Sequence, residues 1–176
     1  LQTEAERVAQ LHREEGLTVA VIEQEKIFNE FSSGTPDASA YRRLMKMFYD
    51  RAEGNENVRP RYLLLFGDGS YNNRKSMEKL HSPECNMLLT YQSKTSIDER
   101  ESFVIEDYFG FLEDNSGEEI KVDKVCLGIG RFPISSIKNA RLVVDKLYRY
   151  VHDKDFSSWK NNICIAADDG DEAIHA

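Results

Sequence analysis

Apolar residues follow two different spacings along the chain, and these predict two kinds of element. Four segments place apolar residues three and four positions apart, which predicts amphipathic helices; they cover residues 3–15, 26–31, 37–53 and 136–152. Four continuous apolar runs predict buried strands; they lie within residues 17–22, 61–70, 122–134 and 163–167. Because helices and apolar strands alternate, the sequence predicts an α/β fold with helices on both faces of a mostly parallel sheet.

Residues with strong positional preferences mark the ends of these helices. Gly16 stands where a glycine commonly ends a helix. Thr35 is the predicted N-cap of the third helix, with Pro36 at its first position, where a missing N–H costs nothing. Ser135 or Ser136 is the predicted cap of the last helix.

Length and charge limit the classes of protein to which the chain can belong. Its 176 residues suffice for one domain with a sizeable core. With 31 acidic and 23 basic residues the net charge is -8, which argues against a nucleic-acid partner because phosphate binding needs a basic patch. No apolar run approaches the roughly 20 residues that span a bilayer. The first residues lack the features of a signal peptide, and they begin within a predicted helix without Met, as expected of a piece of a longer protein.

The three cysteines do not predict a metal centre or a redox motif. Cys85, Cys126 and Cys164 are separated by 41 and 38 residues, which matches no metal-binding spacing. Cys126 and Cys164 lie in apolar runs, where a cysteine usually behaves as a small buried hydrophobic residue. The histidines show no paired spacing typical of metal ligands, so we expect neither a metal nor a cofactor.

Polar residues follow the predicted strands at three places, where open α/β sheets form their sites. They are residues 67–70, the corner at 130–131, and residues 168–171. The Gly-Asp-Gly-Ser stretch at 67–70 has two interpretations. It is either a phosphate-binding loop or a tight turn in which the glycines adopt positive φ and Asp68 binds backbone N–H groups. The turn is favoured because the GxGxxG spacing is incomplete and an aspartate would repel phosphate.

The acidic stretch at 168–172 also has two interpretations. Its carboxylates surround a glycine, which resembles half of a calcium loop. The acids are adjacent rather than alternate, however, and the distal glutamate of a calcium loop is missing. A solvated loop at the end of a strand is therefore favoured.

Several stretches of the chain together resemble the gingipain-type cysteine peptidases, in their order and spacing. They include RYLLLFGDGSYNNR at 61–74, EDYFGFLED at 106–114, GIGRFPISS at 128–136 and WKNNICIAADDGD at 159–171. The resemblance covers nearly the whole chain and implies a caspase-like α/β fold with two subdomains. Residues 1–135 would form the first subdomain, and residues 136–176 the linking helix and the first strand of the second.

The resemblance also implies a Cys–His dyad whose imidazole is oriented by a carboxylate. Residue-by-residue matching places this carboxylate at Asp169, with Asp168 as the alternative after a shift of one residue. The family's histidine, which is followed by glycine, and its cysteine both correspond to positions beyond Ala176. We therefore expect this chain alone to be inactive as a peptidase. Asp107 and Arg131 match recurrent family positions, and we expect them to cap backbone groups and to pair with an acid, respectively.

Within the family, the resemblance is strongest to the sortases of type IX secretion. It implies an exported protein at the cell surface or outer membrane that cleaves C-terminal sorting domains from secreted cargo, with an outer-membrane barrel protein as a further partner. Two other hypotheses remain open. The first is a catalytically inactive family member that binds cargo or a partner, and the second is a nucleotide-binding domain that depends on residues 67–70 alone.

Overall fold

The computed structural model describes residues 1–74, 87–95, 97–98, 100–120, 122–155 and 157–165. The described elements are α1 (Gln2–Glu14), α2 (Gln24–Phe31), α3 (Ser39–Arg51), β1 (Tyr62–Phe66), a 3₁₀ turn (Asp107–Gly110), β2 (Gly128–Phe132), α4 (Ile137–His152) and a second 3₁₀ turn (Ser158–Asn161). β1 and β2 are parallel neighbours, with Tyr62 opposite Gly128 and Phe66 opposite Phe132. The predicted α/β class is confirmed.

The ends of α1 and α4 follow the local signals in the sequence. Gly16 has a φ of 91°, its N–H donates to Arg13 O, and Leu17 N–H donates to His12 O, each at 3.0 Å. These two bonds form a Schellman motif. Ser136 caps α4, because its side chain accepts a hydrogen bond from Asn139 N–H at 3.2 Å. Among the described helices, none is long and apolar enough to cross a membrane.

α3 begins later than the sequence predicts. It starts at Ser39, and the carboxylate of Asp37 accepts a hydrogen bond from Ser39 N–H at 2.8 Å. Thr35 and Pro36 therefore precede the helix, and the predicted capping by Thr35 is wrong. The N-cap residue is Ala38, which has no side-chain acceptor, and Asp37 before it bonds Ser39 N–H because its short carboxylate reaches the N–H two residues further along the chain.

The apolar runs predict the strands less well than the helix signals predict the helices. Residues 17–22 form no strand with any described segment, and they alternate between half-buried and exposed. Arg13 donates two hydrogen bonds to Val19 O, at 3.1 and 2.8 Å. β2 covers only five residues in the C-terminal half of the predicted strand at 122–134. A β-branched run can extend locally, but a strand also needs a neighbour to pair with.

The main core lies on one face of β1, against α2, α3 and the first 3₁₀ turn. Leu65 is buried, and Tyr41 of α3 stacks on Phe28 of α2 with ring centroids 5.7 Å apart. Phe109 of the 3₁₀ turn meets Tyr41 edge-on, 5.5 Å between centroids. The opposite face is open in the described chain, since Tyr62 is 69% exposed. The prediction that this strand is buried on both faces is therefore wrong here.

A second packing unit joins the first helix to the last. Glu4 of α1 is only 5% exposed, and its carboxylate lies 2.6 Å from Arg7 and 3.3 Å from Arg141 of α4. Arg7 also pairs with Asp145 at 2.7 Å. The Tyr148 hydroxyl donates to the Arg7 carbonyl at 2.8 Å. Side chains of both helices thus hold α1 against α4.

The predicted strand at 163–167 is described only in part. Residues 163–165 belong to no strand of the described chain, with Ile163 and Ile165 89% and 85% exposed. Residues 166–176 lie outside the described residues. For the part that is described, the predicted burial is wrong.

Candidate functional site at the carboxyl ends of the strands

Arg131 is the centre of a hydrogen-bonded group near the carboxyl ends of β1 and β2. Its Nε donates to Glu106 Oε1 at 2.8 Å. Its Nη1 donates to the carbonyl oxygens of Gly67 and Asp68, and its Nη2 to that of Leu89, all at 3.2 Å. The side chain is only 11% exposed. One guanidinium therefore holds three separate chain segments together, and the predicted pairing of Arg131 with an acid is confirmed.

Glu106 supplies this acid, and its second oxygen has an unusual environment. Glu106 Oε2 is buried without a hydrogen-bond partner, while Oε1 receives the bond from Arg131. The next residue, Asp107, is exposed and makes no side-chain cap within the part of the chain that is described. The backbone cap predicted for Asp107 is thus not seen there. Sequence reasoning selected Asp107 and missed Glu106, although both belong to the same matching stretch.

The loop at 67–69 uses its backbone N–H groups inside the protein. Gly67 N–H donates to Phe132 O, and Asp68 N–H donates to Ile134 O, both at 3.1 Å. Gly69 N–H donates to the Asp68 carboxylate at 2.8 Å. No N–H group of these three residues remains for a phosphate, which favours the turn over the nucleotide-binding loop. The predicted role of Asp68 is confirmed.

Gly69 is needed in this loop for space, and neither glycine of the loop adopts positive φ. Neither Gly67 nor Gly69 is among the residues with positive φ, so that part of the prediction is wrong. A Cβ on Gly69 would lie 2.8 Å from Thr90 Cγ2 and 3.3 Å from Arg131 Cζ. Only glycine permits this close approach of the loop to the Arg131 group.

Thr90 and Asn73 form a second group of hydrogen bonds at the carboxyl edge of the sheet. Thr90 is 3% exposed, and its hydroxyl donates to Ser70 O at 2.8 Å. Asn73 binds both backbone groups of Thr90: its Oδ1 accepts from Thr90 N–H at 3.1 Å, and its Nδ2 donates to Thr90 O at 2.6 Å. Sequence reasoning missed both residues. The available signal was a hydroxyl residue within the apolar stretch at 86–93.

Tyr41 connects this edge to the main core. Its hydroxyl donates to Gln24 Oε1 at 2.8 Å and accepts from Leu89 N–H at 3.3 Å. Burial raises the pKa of the Tyr41 hydroxyl well above its ordinary value. The group therefore stays protonated and acts as a structural donor, not as a nucleophile or base.

The described residues contain no Cys–His pair joined by a hydrogen bond. Cys126 is half-buried, with its Sγ 3.7 Å from Lys124 O. Cys164 is exposed, so the burial predicted for it is wrong. His12 and His152, both on helices as predicted, bind neighbours on their own helices or at their ends.

The remaining predicted site residues cannot be placed. Asp168, Asp169 and Cys85 lie outside the described residues. Within the described ranges, no cluster of three or more His, Cys, Asp or Glu residues could hold a metal ion. The candidate site in the described chain is therefore a hydrogen-bonded scaffold at the carboxyl edge of the sheet, and the catalytic role of Asp169 or Asp168 stays a prediction.

The comparison with known families decides what kind of scaffold this is. The model of peptidase family C25 matches residues 1–176. The chain belongs to peptidase family C25. This is the gingipain family of cysteine peptidases, so the resemblance inferred from the sequence motifs is confirmed.

A similar solved structure supports the same assignment. The crystal structure of dimeric latent PorU from Porphyromonas gingivalis matches the chain with a TM-score of 0.76 and 40% identity. The match covers 97% of this chain and 17% of the PorU chain. The chain thus spans about a sixth of that relative. Among curated proteins, none matches significantly. The caspase-like fold expected from the resemblance is consistent with this match.

Proposed function

We propose that the chain is part of a cysteine endopeptidase that acts as a sortase in type IX secretion. The longer protein, here called the parent protein, would cleave C-terminal sorting domains from secreted cargo. The observation that carries this proposal is the 40% identity to PorU over 97% of the chain. Such identity over nearly all of the chain supports a function like that of PorU, in addition to the family fold.

The proposed mechanism divides the catalytic groups between this chain and other parts of the parent protein. A cysteine thiolate attacks the peptide carbonyl, and a histidine transfers the proton to the leaving amine. Asp169 orients the imidazole, with Asp168 as the alternative. Residues 1–135 would form the first subdomain, and residues 136–176 the linking helix and the first strand of the second. The cysteine and histidine lie outside this chain, which is therefore inactive alone.

The Arg131 group contributes to this function as a scaffold. Its guanidinium donates to one carboxylate and three carbonyl oxygens and is nearly buried, which leaves it unsuited to contact a substrate. It holds the loops at the edge of the sheet where open α/β proteins bind their ligands. We propose that the substrate polypeptide passes along this edge.

The proposed sortase role also implies a cellular location and a set of partners for the parent protein. It would be exported and would act at the cell surface or outer membrane. Its partners would be secreted cargo proteins with C-terminal sorting domains and an outer-membrane barrel protein. These assignments follow from the similarity to PorU and depend on the same proposal.

The test uses the parent protein and three aspartate variants in a peptidase assay. We expect Asp169→Ala to lower kcat by about 10²- to 10⁴-fold, because an unoriented imidazole has the wrong tautomer or position. The pH profile of kcat should change in the same variant. Asp168→Ala and the control Asp171→Ala should retain most activity.

Three other results would change the proposal. A large loss in Asp168→Ala but not in Asp169→Ala would shift the matching by one residue. Near-normal activity of both variants would remove the orienting role from this stretch. A parent protein that lacks the downstream cysteine or histidine, and that binds cargo without cleaving it, would be a binding module instead.

A further inference from the structure

One edge of β1 has no neighbouring strand among the described residues, where β1 and β2 form a two-stranded sheet. Gly128 N–H donates to Arg61 O at 2.9 Å. At the other end of the pair, Gly67 N–H donates to Phe132 O at 3.1 Å. Because backbone groups of successive residues in a strand point to opposite edges, the odd-numbered residues of β1 face β2. The opposite edge, here called the β1 outer edge, carries the backbone groups of Tyr62, Leu64 and Phe66.

The sequence of β1 is typical of a central strand. Its five residues, Tyr-Leu-Leu-Leu-Phe, include neither a charged residue nor a proline, which are the residues that usually protect an exposed edge from pairing. Strands of parallel sheets are apolar at successive positions because both of their faces are covered. In β1, however, Tyr62 is 69% exposed and Leu64 40% exposed. The strand thus has the sequence of one with two neighbours, and the described chain supplies one of them.

Residues 17–22 are a second extended segment without a strand partner. Their exposure alternates along the chain, as in a strand with one face against the protein. No described segment forms a ladder with them. Arg13 donates to Val19 O and so occupies one edge of the segment. The opposite edge is open among the described residues, and it carries the backbone groups of Thr18, Ala20 and Ile22.

The two open edges belong to segments that share one core. α2 follows residues 17–22 after a single intervening residue, and its Ile27 and Phe28 lie in the same apolar cluster as Leu65 of β1. Two strands are too few to form an independently stable sheet. One extended polypeptide between residues 17–22 and β1 would give both segments a ladder and would cover the exposed side of β1.

The geometry favours a parallel strand of the parent protein over a second copy of this chain. β1 and β2 are parallel. A two-fold symmetric dimer can pair β1 with its copy only in the antiparallel direction, because a parallel arrangement would set like backbone groups opposite each other. Such a dimer would also leave residues 17–22 without a ladder. Since this chain spans 17% of the PorU chain, a parent protein of similar length has many other segments that can supply a strand.

We propose that the β1 outer edge binds one extended, apolar segment of the parent protein from outside residues 1–176, parallel to β1, with residues 17–22 as its second neighbour. The sheet order is then residues 17–22, the added strand, β1 and β2. Main-chain hydrogen bonds supply the affinity, and alternate side chains supply the specificity. The added strand also supports the candidate site, because β1 leads directly into Gly67 and Asp68, whose carbonyl groups bind Arg131.

The first experiment measures amide hydrogen exchange in the parent protein, resolved to single residues of β1. Leu63 and Leu65 are internal controls, because their N–H groups face β2. We expect Leu64 N–H to exchange within about tenfold of these two, as in a strand that is paired on both edges. Exchange of Leu64 that is about 100-fold faster or more would show an open edge and overturn the proposal.

The second experiment identifies the segment that occupies the edge. Tyr62 and Ile22, which is 40% exposed, are replaced in separate variants of the parent protein by the photo-crosslinking amino acid benzoylphenylalanine. Leu142 of α4 is the control position, since it is 59% exposed and remote from both edges in sequence. We expect positions 62 and 22 to cross-link to one and the same segment of the same molecule, outside residues 1–176, and position 142 not to reach it.

Three cross-linking results would overturn the proposal. They are cross-links between two molecules of the parent protein, cross-links to a cargo protein, and cross-links from positions 62 and 22 to two unrelated segments. The proposed peptidase function is tested separately. A parent protein that gives the expected cross-links but cleaves no substrate would retain the added strand and lose only the proposed function.

Discussion

At the scale of single residues, Gly69 is a position where an added methyl group has no room. We expect Gly69→Ala to lower the free energy of unfolding by about 1–3 kcal/mol, because its Cβ would lie 2.8 Å from Thr90 Cγ2. Gly130→Ala is the matched control, since its Cβ would meet only Leu64 Cδ1 at 3.9 Å. Urea unfolding of both variants measures the difference. Equal unfolding midpoints would contradict the steric argument.

Arg131 is the residue on which the candidate site depends most. We expect Arg131→Lys to destabilise the protein by about 2–4 kcal/mol, because an ammonium cannot serve Glu106 and three carbonyl groups with the geometry of a guanidinium. The control is Arg43→Lys, whose pair with Asp37 is exposed and should cost less than about 1 kcal/mol. Comparable losses in both variants, measured by chemical denaturation, would refute the role of Arg131 as a hub.

At the scale of elements, the end of α4 and the following 3₁₀ turn are joined through Asp155. Its carboxylate accepts hydrogen bonds from Trp159 Nε1 and Ser157 N–H, each at 2.9 Å, and these bonds lower its pKa from 3.8 to about 2. Because the pKa is lower in the folded state, this contribution to stability is complete above about pH 4. It is lost as the pH falls towards 2.

The titration of Asp155 can be followed at its tryptophan partner. We expect the Trp159 indole N–H resonance to titrate with a midpoint near pH 2. Trp159→Phe should raise the pKa of Asp155 towards its ordinary value, since it removes the largest cause of the shift; because this variant contains no tryptophan, its titration is followed at the side-chain carboxyl carbon of Asp155. Asp155→Asn is the control and should abolish this titration. A midpoint near pH 4 in the wild type would show that the hydrogen bond does not form in solution.

The elements also show why helices were easier to predict than strands. The ends of α1 and α4 are set by Gly16 and Ser136, which bind backbone groups only a few residues away. Such bonds are encoded within one turn of the chain. Residues 17–22 have an equally clear apolar pattern, but a strand forms only where another segment supplies a ladder. That condition depends on topology, and a local pattern does not contain it.

At the scale of the whole molecule, Glu4 connects α1, the first described helix, to α4, the last α-helix described. We expect Glu4→Gln to destabilise the protein by about 1–3 kcal/mol, because the buried side chain would no longer neutralise Arg7 and Arg141. Glu6→Gln is the control, since Glu6 is on the same helix but half its side chain is exposed. Thermal unfolding distinguishes them. A smaller effect for Glu4→Gln than for Glu6→Gln would rule out the proposed docking of α1 on α4.

The candidate site was only partly predictable for the same reason. The motifs at 61–74, 106–114 and 128–136 identified the family. They did not identify Glu106 as the partner of Arg131, and Thr90 was not singled out at all. The residues that Arg131 binds are 25, 42 and up to 64 positions away in sequence. Which of several nearby acids receives the guanidinium is decided by packing.

The sequence by itself determined the α/β class, the family and the ends of two helices, because periodicity, short motifs and local capping bonds are properties of neighbouring residues. The tertiary structure alone decided the pairing of β1 with β2, the open face of β1, the antiparallel bridge between Gln92 and Val104, and the Arg131–Glu106 pair. Each of these depends on contacts between segments far apart in the chain. Their free energy depends on geometry that only the folded chain provides.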